Sequence, residues 1–259
     1  MTDIKIAFFD LDGTLLENDE DRLSDKTIEA LQRLKANGIH ICLATGRASA
    51  KIPKFEGVEF DAYLAFNGSF CYTKDTCIFS NYIPDEDVKI LLRNAKTMDR
   101  SFSVALKSRV LTDGNNKRTI EYYSKINLAL EIVEDFEAAI AEEPVYQMMI
   151  DCREEEYDIL LKDVRGAKVT AWSDYAVDII PANGSKAVAV EKTLAYYGIH
   201  PSQAIAFGDS GNDIEMLQTV GCGVAMGNAL EKVKAIADDV CRPVSEDGVY
   251  YYCVEHGLI

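Results

Sequence analysis

The chain is short of positive charge. Lysine and arginine number 27 against 43 aspartates and glutamates, a formal net charge of −16. Phosphate backbones are held by clustered cations, so nucleic acid is excluded as a general partner. No basic run marks a membrane-surface patch. Histidine is scarce: His40, His200 and His256 are the only three, and none stands beside a motif. A catalytic cysteine therefore lacks its usual base. The seven cysteines are odd in number, form no Cys-x-x-Cys pair, and several fall inside apolar runs. Buried, free thiols in a reducing cytoplasm are the expectation. Nothing approaches the ~20 apolar residues of a membrane span, and no apolar segment of a secretory signal follows Met1. The expected location is cytoplasmic, with no membrane contact.

What is present begins at Ile6. Ile6-Ala7-Phe8-Phe9 reads as a buried strand that delivers Asp10 and Asp12 into a turn at Gly13. Two carboxylates crowded at a strand end repel unless a cation lies between them. An oxygen-only set of this kind suits Mg²⁺. Ser24 reads as an N-cap, Ile28, Leu31 and Leu34 mark one helical face, and Gly38 closes that helix. A second buried strand, Ile39 to Ala44, ends in Thr45-Gly46-Arg47. A weaker helix is expected next, then a third strand, Asp61 to Phe66, ending in Asn67-Gly68. This rhythm predicts an α/β fold, a parallel Rossmann-like sheet covered by helices.

The pattern changes after a hairpin around Lys74-Asp75. A helix opens at Pro84, β-like runs lie at Phe102–Leu106 and Val110–Asp113, and a helix is expected near Phe136–Ala141. A strand at Tyr146–Asp151, a helix at Glu154–Val164 and a strand pair at Lys168–Trp172 and Ala176–Ile180 follow. This mixed material reads as an inserted α+β domain, residues 82–180, within a core formed by residues 1–81 and 181–259. The core rhythm then returns: a helix from Lys186 to Gly198, a strand at Ala204–Phe207, and the turn Gly208-Asp209-Ser210-Gly211-Asn212-Asp213. A helix to Val220, a strand at Cys222–Ala225, a helix around Leu230–Ala237 and a short strand near Val240 complete it. The core is expected to hold about five strands with the first in the middle.

Four polar signals fall where apolar segments stop: Asp10 with Asp12, Thr45, Lys186, and Asp209 with Asp213. In an open α/β sheet, ligands bind beyond the carboxyl ends of the strands. A carboxylate beside Mg²⁺ can attack phosphorus, and a second acid can protonate the leaving oxygen. A hydroxyl, backbone amides and a lysine can hold the phosphoryl oxygens. Phosphate ester cleavage suits these parts best.

These residues carry a resemblance. Asp10-x-Asp12-Gly13-Thr14, Thr45-Gly46-Arg47, Lys186 and Gly208-Asp209-x-x-Asn212-Asp213 resemble, in order, the four motifs of the haloacid dehalogenase superfamily of phosphatases. Ile179-Ile180-Pro181-x-x-x-Ser185-Lys186, Asn67-Gly68 and Gly223 to Ala229 are similar to the Cof-type subgroup, whose large α+β cap is inserted after the third core strand. The segment between Arg47 and Asp61 is shorter than in many relatives. The resemblance implies that Asp10 is the nucleophile and Asp12 the general acid/base. It implies Mg²⁺ on Asp10, the Asp12 backbone carbonyl and Asp209, with Asp213 supporting, and phosphate on Thr45, Gly46, Lys186 and Asn212. A small phosphorylated metabolite, a sugar phosphate foremost, is the expected substrate. Phosphoryl transfer of the phosphomutase kind and a phosphate-responsive, non-enzymatic module are the alternatives. Arg109, Lys117, Arg118 and Trp172 are candidates to face the substrate from the insertion. Nothing in the sequence fixes an oligomeric state.

Overall fold

The computed structural model describes residues 3–17, 20, 22–115, 120, 130–171 and 176–259. The chain divides into two compact units. One comprises Met1–Gly46, Pro53–Phe79 and Ser185–Ile259; the other comprises Arg47–Ile52 and Ser80–Gly184.

The first unit is built on strands β1 (Ile6–Phe9), β2 (His40–Ala44), β3 (Ala62–Ala65), β4 (Phe70–Tyr72) and β5 (Cys77–Ser80). The chain's last three strands, β12 (Ala204–Gly208), β13 (Cys222–Ala225) and β14 (Asp239–Val240), join the same sheet. The order is β14-β13-β12-β1-β2-β3-β4-β5. From β14 to β3 every pairing is parallel, and β4 turns back antiparallel on β3. The parallel part thus holds six strands rather than about five, because the short β14 adds to the edge. The first strand does lie inside the sheet, between β12 and β2. Ile6, Ala7, Phe8 and Phe9 are all fully buried. That continuous apolar run, rather than an alternating one, is what a parallel strand covered on both faces requires.

Helix α1 (Asp25–Ala36) starts where expected: the Ser24 hydroxyl accepts the Thr27 N–H at 3.0 Å. It buries Ala30, Leu31 and Leu34. The helix expected after Arg47 is only a 3₁₀ turn, Ser49–Lys51. Pro53 forces the residue before it to be extended, and Ile52 takes φ −77°, ψ 121°.

The second unit carries helix α2 (Asp85–Thr97), strands β6 (Ser103–Ala105), β7 (Val110–Thr112) and β8 (Glu131–Ile132), helix α3 (Phe136–Ile140) and strand β9 (Gln147–Asp151). Helix α4 (Tyr157–Leu160) and strands β10 (Ala167–Ala171) and β11 (Ala176–Pro181) complete it. Its sheet runs β10-β11-β9-β6-β7-β8. Alternate residues Val104, Leu111, Met148, Ile150, Val177 and Ile179 join Val88, Leu91 and Ala95 of α2 in one apolar core. The helix expected over 154–164 shortens to a 3₁₀ turn and α4. Three successive glutamates, Glu154–Glu156, crowd like charge into its first turn.

Back in the first unit, α5 (Lys186–Tyr197) and α6 (Ile214–Thr219) match their readings, while α7 contracts to Glu231–Lys234. Helix α8 (Gly248–Glu255) was not anticipated. Its Val-Tyr-Tyr-Tyr-Cys-Val run has strand-like propensity, but packing against α1 overrides it. Lys26 Nζ of α1 donates to the Tyr251 hydroxyl at 2.7 Å. All seven cysteines are free; Cys42, Cys71, Cys152 and Cys253 are buried, whereas Cys77 is exposed. Among the described residues, no helix is long and apolar enough to cross a membrane.

Candidate active site

Parallel register brings the polar strand ends together. Phe9 lies opposite both Leu43 and Phe207, so Asp10, Thr45 and Asp209 leave the sheet at one edge. The Asp10 N–H donates to the Phe207 carbonyl at 3.0 Å. The chain then turns tightly around the Leu11 carbonyl, which accepts from Thr14, Leu15 and Leu16 N–H at 3.3, 2.9 and 2.8 Å. Gly13 has φ +88°, and a β-carbon on it would stand 2.5 Å from an Asp209 carboxylate oxygen. Glycine is therefore needed twice over, for the left-handed backbone and for the approach of the two acid loops.

Asp10 is buried beside Lys186 and Asp213, both buried as well. Lys186 Nζ donates to Asp10 Oδ1 at 2.5 Å and to Asp213 Oδ1 at 2.6 Å. The lysine reaches in because Ser185 caps α5, its hydroxyl accepting the Val188 N–H at 3.3 Å. Asp213 spends its other oxygen on the N–H groups of Asp209 and Ser210, at 3.0 and 2.9 Å. Asp209 accepts the Thr14 hydroxyl on Oδ1 and the Ser210 hydroxyl on Oδ2, each at 3.0 Å. Asn228 donates to the Gly13 carbonyl at 2.8 Å and so braces the first acid loop.

Asp10, Asp209 and Asp213 each offer a carboxylate oxygen within 4.8 Å of the others. Burial is the largest influence on Asp10 and pushes its carboxyl well above the usual range; Asp213 and Asp209 push the same way, outweighing Lys186. Burial, then Asp213, lift Asp209 to about 6 against the Thr14 and Ser210 hydrogen bonds. For Lys186, burial opposes the charge, but Asp10 and Asp213 outweigh it and hold the ammonium firmly protonated. One ammonium faces three carboxylates. That excess of negative charge in a water-poor setting, presented by oxygen donors alone, fits a hard divalent cation. Asp10 and Asp209 would hold it, because Asp213 is already committed to Lys186 and two backbone N–H groups.

The structure gathers Asp10, Lys186, Asp209 and Asp213 as the sequence places them. Thr45 is buried beside the same edge. The Asp12 side chain is exposed on the turn and adds no carboxylate to the acid group; the metal role expected of it is its backbone carbonyl. Asn212 donates through Nδ2 to Asn67 Oδ1 at 2.9 Å. In sequence Asn67 is half of a turn and part of the Cof-type resemblance, with no task assigned to its side chain. Its signal in sequence was a polar residue set between a buried strand and a glycine. Thr14, Ser210 and Asn228 lay inside the recognised motifs without an assigned task. In the second unit Arg109 pairs with Glu131 and Glu142, at 3.4 and 2.5 Å. Lys117, Arg118 and Trp172 lie outside the described residues.

A parallel α/β sheet with an acid cluster and a buried lysine at its carboxyl edge suits a class of proteins that handle phosphoryl groups beside a divalent cation. The comparisons narrow it. Residues 7–253 match the family described as haloacid dehalogenase-like hydrolase, and the chain belongs to that family, among its phosphatases of the Cof type. It is 31% identical, over 95% of both chains, to a Bacillus subtilis protein named 5-amino-6-(5-phospho-D-ribitylamino)uracil phosphatase YitU. Among solved structures it resembles BT1666, a phosphatase of the haloalkanoate superfamily from Bacteroides thetaiotaomicron, with TM-score 0.91 and 31% identity over 99% of this chain and 96% of that one. It also resembles BT4131, described as a subclass IIB sugar phosphatase, with TM-score 0.88 and 30% identity over 98% of this chain and all of that one.

Proposed function

We propose that this enzyme is a Mg²⁺-dependent phosphatase that hydrolyses small phosphorylated metabolites, sugar phosphates foremost, in the cytoplasm. The single observation that carries the reading is the meeting of Asp10, Asp209 and Asp213 with Lys186 at the carboxyl edge of the sheet. The relatives named for a phosphoribityl compound and for sugar phosphates support the substrate class.

In the first step an Asp10 oxygen bonds to phosphorus while the bond from phosphorus to the ester oxygen breaks. Asp12, on the solvent-facing turn, gives that oxygen its proton. In the second step Asp12 takes a proton from water as the water oxygen bonds to phosphorus and the Asp10–phosphorus bond breaks. Lys186, Thr45, the Gly46 N–H and the Asn212 amide hold the phosphoryl oxygens while charge redistributes. Asp10, the Asp12 carbonyl and Asp209, with Asp213 behind them, would hold Mg²⁺, which when bound offsets phosphoryl charge and carboxylate repulsion. Residues 82–180 are the inserted cap domain, and substrate selection is assigned to it.

The test is hydrolysis of a chromogenic phosphate ester by the pure protein with Mg²⁺ and with chelator, followed by a screen of phosphorylated sugars and phosphoribityl compounds. Release of inorganic phosphate in step with substrate loss, abolished by chelation, is expected. No hydrolysis, or hydrolysis indifferent to Asp10→Ala, overturns the reading. Transfer of the phosphoryl group to a sugar hydroxyl in place of water would assign the phosphomutase alternative. A phosphorylated Asp10 stable for hours would assign the signalling one.

A further inference from the structure

We infer that Asn67 is a positioning residue that locks the phosphate-side loops of the site together and acts through Asn212. This rests on the phosphatase reading above. The observations begin with the backbone. Phe66, Asn67 and Gly68 all take positive φ, at 52°, 53° and 89°. Left-handed backbone is costly for a phenylalanine, and such strain persists only where surrounding structure enforces it.

The enforcing contacts are contacts to the site. The Asn67 N–H donates to the Thr45 carbonyl at 3.0 Å. A β-carbon at Gly46 would stand 3.3 Å from both polar atoms of the Asn67 amide. A β-carbon at Gly68 would stand 2.5 Å from the carbonyl oxygen of Ser185, the cap of the helix that carries Lys186. Asn67 Oδ1 accepts the Asn212 amide at 2.9 Å. One turn therefore touches the loop after β2, the start of α5 and the loop after β12. Asn67 itself is buried, with 1% of its surface exposed.

Asn212 shows what the turn is for. With Nδ2 turned to Asn67, its Oδ1 is buried and without a hydrogen-bond partner among the described residues. A phosphoryl oxygen is itself an acceptor and cannot complete that oxygen, so the amide can serve the phosphate only through its second N–H. Here Asn67 fixes the plane of the Asn212 amide, so that its second N–H is aimed rather than free to rotate. Removing the Asn67 acceptor releases that amide and costs phosphoryl recognition, while the acid cluster stays as it is.

The test is a double-mutant cycle of Asn67→Gly and Asn212→Ala in the Mg²⁺-loaded enzyme. Glycine keeps the left-handed backbone and removes only the amide. Asn67→Gly is expected to lower kcat/KM roughly 10-fold in the unaltered protein and less than about 2-fold when Asn212 is already alanine. It is also expected to weaken competitive inhibition by inorganic phosphate, at unchanged Mg²⁺ affinity. Equal losses in both backgrounds, or no loss, overturn the proposal. If the glycine variant is not recovered folded, Asn67→Ser, too short to reach Asn212, is read through the same cycle. Absence of hydrolysis by the unaltered protein sinks the phosphatase reading. Hydrolysis with losses that simply add sinks this proposal alone.

Discussion

Both units bury polar side chains, but they treat the charge differently. In the inserted unit Asp87, Asn94 and the Arg100–Glu156 pair each close onto backbone or onto one another. Asp87 accepts the N–H groups of Arg165 and Gly166 at 3.1 and 2.7 Å, and Asn94 donates to the Leu160 and Lys162 carbonyls at 2.9 and 2.8 Å. Arg100 meets Glu156 through two hydrogen bonds of 2.7 Å. In the first unit Asp10, Asp209 and Asp213 gather from segments about two hundred residues apart, and one ammonium, Lys186, pairs with two of them. Structural networks end in balance, whereas this one ends with charge left over. An unbalanced, buried cluster of carboxylates is what a bound cation would complete.

The contrast breaks most sharply at Asp10. Asp10→Asn keeps the shape, removes one of three mutually repelling charges and removes the proposed nucleophile. Phosphatase activity is expected to fall by a factor of about 1,000 or more. The thermal midpoint of the metal-free protein should stay level or rise, since Asp10 is a strained charge there. A large loss of stability at the midpoint would make Asp10 a structural acid of the Asp87 kind.

Asp87→Ala tests the other side. It leaves two N–H groups without an acceptor and should cost about 2–4 kcal/mol in denaturant unfolding of the inserted unit. Turnover per folded molecule, measured below that transition, should change by less than about 2-fold. A loss confined to turnover would mean that the inserted unit's buried acid belongs to the chemistry.

Much of the first unit could be read directly, because its strands are continuous apolar runs that stop at polar loops. Asp10, Thr45, Lys186 and Asp209 each stand at such a stop. The sequence could not show Asn67's partner. A left-handed turn has no periodicity, and its meaning comes from residues 145 positions away. Helix α8 was hidden for a related reason: Tyr250, Tyr251 and Tyr252 look like strand until α1 is in place. The short strand β8 offers two exposed residues and no alternation to detect.

The third expectation concerns pH in the metal-free protein. Asp209 has a folded-state value of about 6 against an ordinary 3.8. The folded state therefore binds this proton more tightly than the unfolded state. Stability from this group is present at low pH and is lost as pH rises from about 4 to about 6. With allowance for its partial exposure, the loss should be about 1–2 kcal/mol. Added Mg²⁺ should restore it, and Asp209→Asn should weaken the trend, leaving the part that Asp10 contributes. Thermal midpoints at pH 4.5 and 7, with chelator and with Mg²⁺, check this; a midpoint that rises with pH in chelator contradicts it.

Glu156 should show the opposite sign at the smallest amplitude. The Arg100 hydrogen bonds, and after them the Arg153 N–H at 2.9 Å, hold its carboxyl below the ordinary 4.5. Its stabilisation is therefore present above pH about 4.5 and is lost as pH falls through the lowered value. Both partners are partly exposed, 26% for Arg100 and 29% for Glu156. Solvent screening should accordingly limit Glu156→Gln to less than about 1 kcal/mol near neutral pH. The variant should converge on the unaltered protein once the pH has fallen through that lowered value, and 1 M salt should shrink the difference. The same titration that loosens the metal-free acid cluster on the alkaline side thus loosens the inserted unit on the acid side. If Glu156→Gln instead stabilised the protein at pH 7, as removal of an Asp209 charge should in chelator, the inserted unit would hold an uncompensated acid of its own. The distinction between balanced and unbalanced burial would then no longer separate scaffold from site.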